Sequence, residues 1–288
     1  WIGGNADIPG REFDGSIDEA AVWDRALSLA EIQWLAANQI EQRYGIFVDD
    51  DAPHDPAPGD PAIGDPNENG SWQHPFDSIQ EGIDAAEEME TVTVLDGIYT
   101  GWGNRSLSFD GKPIRLRSEN GPENCIIDCE DYRRGFNFVF EESPDSILEG
   151  FTIANGRAFT EGLEDGGGIY CYQSNPTIKD CIITNCHAEN GGGIYIEYCD
   201  PTLDGCEISG NSAVYSGGGI GSWKSSPTLL DCTIANNSPD GISLDYGLAT
   251  ISGTVKVISD TIGGDGSFDI DPDATLQTED ANATGYIR

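Results

Sequence analysis

One sequence pattern occurs three times between residues 166 and 236, and this repeat constrains the fold more than any other feature of the chain. Each copy opens with a glycine triple whose first member is Gly166, Gly191 or Gly217, so the copies start 25 and then 26 residues apart. A proline and a cysteine recur at the same steps. A fixed period of this length, built of short β-branched runs and turn residues, is typical of a solenoid of stacked coils.

Alternation within the copies predicts which side chains lie inside the solenoid. Ile169 and Cys171 alternate with Tyr170 and Tyr172, and the first pair suits a core. Because like residues recur from copy to copy, the sequence predicts an all-β, right-handed parallel β-helix whose coils pair in register at about 4.8 Å. Asparagine suits the corners because it tolerates the left-handed conformation. The predicted structural ladder consists of Cys181, Cys206 and Cys232 and the corner residues Asn185, Asn211 and Asn236.

The combination of GGGIY with C-x-I-x-x-N resembles the repeat of bacterial β-helix surface proteins. It is similar to the polymorphic outer-membrane proteins and to the large repeat proteins of planctomycete-type bacteria. The resemblance covers residues 76–288. It implies a pectin-lyase-like fold, and because that superfamily contains lyases, hydrolases, adhesins and structural proteins, it leaves the function open.

Residues 1–44 resemble something different, the C-terminal end of a laminin-G-like or concanavalin-like jelly roll. This stretch offers about two strands, which cannot close a sandwich alone. We therefore expect the chain to be a piece of a longer protein. The residues that carry the resemblance are Phe13, Gly15, Ile17, Asp18, Glu19, Arg25, Leu27, Glu31 and Ile32.

Residues 45–75 are rich in aspartate and proline and are predicted to form an acidic, extended linker. The solenoid is predicted to follow at residues 76–288, with a capping helix over about residues 77–88. Asp77 or Ser78 would cap this helix. A solenoid needs such a cap because its end strands are otherwise open edges.

The chain is strongly acidic, with 51 aspartates and glutamates against 14 lysines and arginines and a net charge of −37. Nucleic acids and anionic membranes are polyanions that select basic surfaces, so the charge argues against both as partners. Calcium, cationic surfaces and neutral glycans fit better. The sequence has no apolar run of about 18 residues, so no membrane span is predicted in this segment.

Calcium is the one cofactor that the sequence suggests. Carboxylates in an extended acidic stretch supply the oxygen ligands that calcium prefers. The alternative is that the same carboxylates are a solvated linker that keeps the protein soluble. The candidate ligands are Asp49, Asp51, Asp55, Asp60 and Asp65.

Aromatic residues recur on the side of the strands that faces away from the core. Tyr170 and Tyr195 occupy equivalent positions in two copies, and Tyr172 and Trp223 share a second position. A column of rings on a flat β surface can bind sugar rings or another protein. The alternative is that tyrosine and tryptophan are simply good strand formers on a half-exposed face.

The eight cysteines do not indicate a disulfide framework. Cys181, Cys206 and Cys232 are predicted to be core thiols, since free thiols in an interior column behave as small hydrophobes. Pairing among Cys171, Cys186 and Cys199 stays open. No C-x-x-C pair exists and the three histidines are scattered, so the sequence does not predict a zinc site.

These features predict a secreted or cell-surface segment with a structural or adhesive role. Stacked coils give a rod with a repeating surface, which suits self-assembly into a filament, matrix or surface layer, or attachment to cell-surface glycans. The alternative is a carbohydrate-binding or polysaccharide-degrading module of the lyase or hydrolase kind. The N-T-D, G-H-G and R-I-K signatures of the hydrolase family are absent. No catalytic residue is predicted.

Overall fold

Successive coils of three short strands make up most of the described part of the chain. The computed structural model describes residues 45–52, 66–158, 164–258, 260–279, 282–283 and 286–287, all within one compact unit, Arg43–Arg288. The jelly-roll prediction for residues 1–44 lies outside the described residues. So does most of the Asp/Pro-rich segment.

The strands, numbered in chain order, form three long sheets because each coil contributes one strand to each of them. Sheet 1 has the order β1 (Ile46–Val48), β2 (Thr91–Val94), β5 (Arg115–Ser118), β8 (Ile147–Glu149), β12 (Thr177–Lys179), β16 (Thr202–Asp204), β20 (Thr228–Leu230), β23 (Leu248–Ser252), β26 (Ser267–Ile270) and β29 (Tyr286–Ile287). Sheet 2 has the order β3 (Gly97–Tyr99), β6 (Cys125–Asp128), β9 (Thr152–Ala154), β13 (Ile182–Thr184), β17 (Glu207–Ser209), β21 (Thr233–Ala235), β24 (Thr254–Ile258) and β27 (Thr275–Glu279).

Sheet 3 is the third long sheet, and a short sheet 4 lies on the turns between sheets 2 and 3. Sheet 3 has the order β4 (Leu107–Ser108), β7 (Phe136–Phe138), β11 (Ile169–Tyr172), β15 (Ile194–Glu197), β19 (Ile220–Trp223), β22 (Ile242–Asp245), β25 (Thr261–Gly264) and β28 (Asn282–Ala283). Sheet 4 has the order β10 (Arg157–Ala158), β14 (His187–Asn190) and β18 (Ser212–Ser216).

Neighbouring strands are parallel and pair like residue with like residue. In sheet 3, Ile169 pairs with Ile194, which pairs with Ile220. In sheet 2, Ile183 pairs with Ile208 and Ile208 with Ile234. All these isoleucines are buried. The predicted parallel β-helix is therefore confirmed, together with the register that places identical side chains on top of one another.

The glycine triples mark a corner where backbones of adjacent coils nearly touch. Gly191 has φ +60°, a left-handed conformation that favours glycine. A Cβ on the next residue, Gly192, would lie 2.3 Å from the carbonyl oxygen of Ser212 and 2.5 Å from that of Gly218. Only glycine allows this approach, which explains why the triple returns in every copy.

The cysteine ladder is buried as predicted. The Sγ of Cys206 lies 3.3 Å from the carbonyl oxygen of Ile178, and the Sγ of Cys232 lies 3.4 Å from that of Leu203. All eight cysteines are buried free thiols. Burial raises the pKa of Cys181 and of Cys186 to about 12, so these thiols stay protonated and unreactive at neutral pH.

The predicted asparagine ladder needs one correction. Asn185 and Asn236 occupy left-handed corners, with φ 54° and 56°, but the equivalent corner in the coil between them is Gly210, with φ 68°. Asn211 lies one position further on, inside the solenoid, between Cys186 and Asn237. The spacing from the ladder cysteine to the corner is four residues in all three coils, so glycine fills the corner after Cys206, and Asn211 is the counterpart of Cys186 and Asn237.

A helix covers the first coil, where the sequence predicts a cap. Helix α1 (Ile79–Ala85) is shorter than the predicted 77–88, and Ser78 is its N-cap in a capping box with Glu81. Its apolar face packs closely: a Cβ on Gly82 would lie 2.6 Å from Val48 Cγ2 and 2.9 Å from Val92 Cγ1. The helix thus closes the open end of the core.

The solenoid begins earlier in the chain than predicted. Strand β1 lies inside the stretch predicted as linker, yet it pairs with β2 as the first strand of sheet 1. The ring of Phe47 contacts that of Trp72, with centroids 5.4 Å apart. The short apolar run Ile46–Val48 can bury its side chains only in the solenoid, so the acidic segment follows the first strand. Within the described part of the chain, no helix is long and apolar enough to cross a membrane.

Candidate functional site

The outer side of sheet 3 carries aromatic rings on successive coils. Four of the rings come from strands, where alternation turns them away from the core. Two more come from the turns that follow strands. We name these six residues the aromatic face: Tyr170, Tyr172, Tyr195 and Trp223 from β11, β15 and β19, and Tyr198 and Tyr246 from the turns after β15 and β22.

The tyrosines of the aromatic face contact one another across the coils. The rings of Tyr170 and Tyr195 stack with centroids 6.1 Å apart and an interplanar angle of 12°. Tyr170 also stacks with Tyr172 at 6.4 Å, and Tyr172 meets Tyr198 edge-on at 6.1 Å. Such pairs contribute about 1 kcal/mol each beyond the area that they bury. The rings therefore hold one another in place before any ligand arrives.

Trp223 and Tyr246 continue the surface on the next two coils. Their ring centroids are 4.9 Å apart at 78°. Lys224 joins this pair to the tyrosines, because its Nζ lies 5.4 Å from the ring centroid of Tyr198 and 5.5 Å from that of Trp223. The cation–π contacts fix the ammonium group beside the rings.

The two turn tyrosines adopt a backbone conformation that bulky residues rarely take. Tyr198, Lys224 and Tyr246 have φ of 54°, 49° and 57° and occupy the same corner of successive coils. The left-handed conformation costs a residue other than glycine roughly 1 kcal/mol. Tyr198 is 44% exposed and Tyr246 63% exposed. The chain therefore carries large, exposed rings where glycine or asparagine would be more stable.

A glycine makes room for one of the rings. Gly221 follows Tyr195 in the same outward column of sheet 3. A Cβ at this position would lie 2.9 Å from Cδ2 of Tyr195 and 2.9 Å from the backbone nitrogen of Gly191. The ring of Tyr195 therefore lies over the glycine, and any larger residue would displace it.

Carboxylates accompany the rings. The hydroxyl of Tyr170 donates a hydrogen bond of 3.0 Å to Oε2 of Glu197. Glu197, Trp223 and Asp245 occupy one outward column on three adjacent coils. Burial raises the pKa of Asp245, and the charge of Asp265 adds to this effect. The face thus combines ring surfaces with carboxylate hydrogen-bond acceptors on the same outward side of sheet 3.

Arg134 closes the aromatic face at its N-terminal side. Its Cζ lies 4.8 Å from the ring centroid of Tyr170, and its guanidinium donates a 3.2 Å hydrogen bond to Oδ1 of Asn137. Burial lowers the pKa of Arg134 to about 10. The side chain therefore stays charged at neutral pH.

The predicted calcium ligands are only partly within the described residues. Oxygens of Asp49, Asp50 and Asp51 lie within 4.8 Å of one another, after β1. Burial raises the pKa of Asp49 to about 7, and the hydrogen bond that the protonated Asp49 carboxyl donates to the Asp51 carboxylate adds to the rise. Closely spaced carboxylate oxygens suit a hard cation such as calcium. Asp55, Asp60 and Asp65 lie outside the described residues.

The structure thus brings together the four aromatic residues that the sequence singles out. It adds Tyr198, Lys224 and Tyr246, which sequence reasoning missed. These three share a position one residue after the outward column, so extending the alignment of the copies past the strand ends would have found them. Asp49, Asp50 and Asp51, which we name the acidic triad, follow β1, the first strand of sheet 1, whereas the aromatic face begins on β11, the third strand of sheet 3.

A family model described as the right handed beta helix region matches residues 92–225 and 184–262, which together span more than half of the chain. The chain belongs to this family. Membership agrees with the parallel pairing of the three long sheets and with the predicted right-handed sense. No curated protein matches the chain in sequence.

One solved structure, titled "Crystal structure of pectate lyase Pel9A", is similar to this chain over 83% of this chain and 79% of that chain. The sequence identity is 14% and the TM-score is 0.49. A likeness this distant is no indication of a shared activity.

Proposed function

We propose that this chain is a glycan-binding module of an extracellular or cell-surface protein and that it holds a neutral polysaccharide against the aromatic face. The observation that carries the proposal is the aromatic face itself. Rings on adjacent coils contact one another, and an ammonium group and two carboxylates lie beside them. Flat rings accept the apolar faces of sugars, while charged groups bond to their hydroxyls.

Strand propensity alone does not account for these rings. It explains an aromatic residue within a strand, but Tyr198 and Tyr246 lie in turns. Both residues take a left-handed conformation that works against stability, and both remain well exposed. Residues that cost stability without being buried are typical of binding surfaces.

The distribution of rings suits a polymer better than a single sugar. The coils repeat at about 4.8 Å, and the rings span four of them, from Tyr170 on β11 to Tyr246 after β22. A chain of sugars lying along the stack would meet several rings at once. The net charge of −37 favours neutral polymers, because an acidic polymer is repelled at long range.

The experiment measures binding of the full chain to soluble neutral polysaccharides, such as β-glucan, xylan and galactomannan, by affinity electrophoresis and titration calorimetry. Tyr246→Ala and Trp223→Ala should each weaken binding about fivefold to tenfold, since each removes one stacking surface. Tyr215→Ala is the matched control, because Tyr215 is also exposed, at 66%, but lies on β18 outside the aromatic face.

Two results would contradict the proposal. One is the absence of binding to every polysaccharide at millimolar sugar concentration. The other is an equal loss of binding in the Tyr215 and Tyr246 variants, because the aromatic face would then have no special part in recognition.

Hydrolysis of the bound glycan is a second candidate function, favoured by the column that Glu197, Trp223 and Asp245 share. Strands two coils apart are separated by roughly 10 Å, which is near the spacing of paired carboxylates in inverting glycoside hydrolases. Asp245, whose pKa burial raises, would protonate the glycosidic oxygen, and Glu197 would activate water.

A reducing-end assay on the same polysaccharides tests this candidate. Glu197→Gln and Asp245→Asn should each abolish sugar release while binding persists, and Asp269→Asn on sheet 1 serves as the control. Release that survives both substitutions would assign any activity to other residues. A parallel assay for unsaturated products tests the lyase alternative.

Calcium binding to the acidic triad remains a proposal, supported by the close approach of Asp49, Asp50 and Asp51. A bound cation favours the ionised carboxylates, so added calcium should raise the melting temperature more at pH 8 than at pH 5. Asp51→Asn should reduce this stabilisation. Equal stabilisation of the variant and the wild type would place calcium elsewhere.

Self-assembly into filaments or a surface layer is likewise a proposal, and it rests on the repeating coils alone. Electron microscopy of the native material, with and without a calcium chelator, tests it. Ordered fibres or lattices would support a structural role. Dispersed particles in both conditions would leave glycan binding as the function.

A further inference from the structure

A second surface lies on the turns between sheets 2 and 3 in the first coils. We define it as the arginine–aromatic cluster: Trp102, Arg105, Glu130, Tyr132 and Arg133. The rings of Trp102 and Tyr132 meet at 6.1 Å and 77°. Trp102 is 62% exposed and Tyr132 45% exposed. Two large rings thus face solvent although neither is needed to fill the core.

Both guanidinium groups of the cluster contact both rings. The Cζ of Arg105 lies 5.6 Å from the ring centroid of Trp102 and 5.0 Å from that of Tyr132. The Cζ of Arg133 lies 5.4 Å and 5.7 Å from the same two rings. Rings and cations therefore form one compact group.

The two arginines differ in how their charge is balanced. Arg105 is only 9% exposed in its side chain, and its Nη1 lies 2.5 Å from Oε2 of Glu130 and 3.3 Å from the carbonyl oxygen of Cys129. Arg133 forms no ion pair with any residue that the structure describes, and its buried Nε has no acceptor among them. The cluster thus holds one neutralised cation and one cation available to a ligand.

The turn that presents these side chains is conformationally costly. Glu130, Asp131 and Arg133 have φ of 56°, 54° and 70°, so three of four consecutive residues are left-handed. Backbone strain of this kind concentrates at ligand sites, where the surrounding structure maintains it. Here it displays Tyr132 and Arg133 side by side.

Positive charge is scarce in the chain but gathers at this place. The chain has 14 lysines and arginines against 51 acidic residues. Arg134 follows Arg133 directly and contacts Tyr170, and the backbone N–H of Arg157 donates a 2.7 Å hydrogen bond to the carbonyl oxygen of Arg133. Four arginines therefore lie on neighbouring turns. A small local patch of this kind suits one anionic group, since the acidic remainder repels a polyanion.

We propose that the arginine–aromatic cluster binds a carboxylated sugar residue. The guanidinium of Arg133 would pair with the sugar carboxylate, because its planar fork matches that group. Trp102 and Tyr132 would take the apolar face of the sugar ring. Glu130 holds Arg105 against the rings and so keeps the cluster in shape.

The site adjoins the aromatic face through the dipeptide Arg133–Arg134, since one arginine contacts each surface. A mostly neutral glycan that carries an acidic sugar can therefore occupy both. This inference rests on the proposed glycan-binding function. Recognition of an acidic sugar by the cluster can nevertheless be measured with a short ligand that does not reach the aromatic face.

The experiment titrates the full chain with digalacturonate and with its carboxyl-reduced, neutral counterpart. The wild type should bind the acidic disaccharide about tenfold more tightly, and added salt should weaken that binding. Arg133→Gln should remove the preference, and Trp102→Ala should weaken both sugars. Arg115→Gln, on sheet 1 and paired with Glu149, is the control and should leave the preference intact.

Three results would overturn the proposal. One is equal affinity of the wild type for both disaccharides. Another is a lowered melting temperature of the Arg133 variant with unchanged affinity, which would make the cluster purely structural. The third is equally tight binding of an aspartate-rich peptide, which would assign the site to protein partners. Loss of polysaccharide binding in Trp223→Ala tests the proposed function separately, because that residue lies outside the cluster.

Discussion

Two columns of residues in the same coils, one inside the solenoid and one outside, follow opposite rules. Inside, the polar side chains Asn211, Asn237 and Asp260 lie on successive coils and bond to backbone groups of the neighbouring coil. Outside, the corner column of Gln173, Tyr198, Lys224 and Tyr246 changes residue type at every coil and holds large side chains in a left-handed conformation.

The difference separates stability from function. An interior position accepts only side chains that satisfy the buried backbone around it, because each buried N–H and carbonyl needs a partner. An exterior corner accepts almost any small residue, so bulky rings there call for a reason other than folding. Residues that repeat at interior positions thus indicate the fold. Exterior corner residues that are less stable there than glycine or asparagine indicate a binding surface.

Asn211→Leu should give the largest effect that tests this contrast. The substitution leaves the N–H of Cys186, the carbonyl of Ile183 and Oδ1 of Asn237 each short of a hydrogen bond. With about 1–3 kcal/mol for each unsatisfied buried group, partly relieved by relaxation, we expect the free energy of unfolding to fall by about 3 kcal/mol. Urea unfolding followed by circular dichroism measures it.

Asn236→Gly is the control for that measurement. Asn236 lies at a corner with φ 56°, where glycine is at least as suitable, so we expect a change of a few tenths of a kcal/mol. Similar losses in the two variants would contradict the separation of inner and corner asparagines.

Gly221→Ala should have the next largest effect on stability, and it should also change binding at the outer surface. The added Cβ meets the ring of Tyr195 and the backbone of Gly191, so we expect about 1–2 kcal/mol of destabilisation from overpacking. Displacement of Tyr195 should also weaken polysaccharide binding. Ser243→Ala, at the next position of the column, should change neither quantity. Unaltered binding in the glycine variant would remove Tyr195 from the site.

Much of the inner column could be predicted from the sequence, and the exceptions have physical causes. Strand alternation and a constant repeat fix which residues face inward, so the cysteine and isoleucine ladders follow directly. Asn211 was misplaced because the corner asparagines were matched by identity, whereas the spacing from Cys206 places Gly210 at the corner and Asn211 one residue beyond it. Strand β1 was missed because an apolar run of three residues gives no periodic signal.

The outer surfaces were harder to predict because turns do not alternate. Alternation found the four strand residues of the aromatic face but stops at Tyr198 and Tyr246, one residue past the strands. The arginine–aromatic cluster lies on turns of unequal length, in coils that precede the regular repeat. No spacing in the sequence brings Trp102 and Arg133 together, and only the stacking of coils does so.

Tyr246→Gly should have a smaller effect on stability than the first two substitutions. Glycine relieves the left-handed strain at φ 57°, but it also loses the contact with Trp223 and adds entropy to the unfolded chain. Because these effects largely cancel, we expect the free energy of unfolding to fall by less than about 1 kcal/mol, together with a fivefold loss of polysaccharide affinity. A clear loss of stability would show that the ring serves the fold.

The smallest expected effect concerns the end of the inner column, where Asp260 takes the place of an asparagine. Burial raises the pKa of Asp260, although hydrogen bonds from Asn237 oppose the rise. A carboxyl group with a raised pKa in the folded state makes the protein less stable as the pH rises from its unfolded value, near 4, through the folded value. As the pH rises over that interval, the free energy of unfolding of the wild type should therefore fall relative to that of Asp260→Asn. Urea unfolding at several pH values measures this difference. A difference that stays constant with pH would mean that Asp260 titrates alike in both states, and the inner column would then tolerate a charge as readily as the outer surface does.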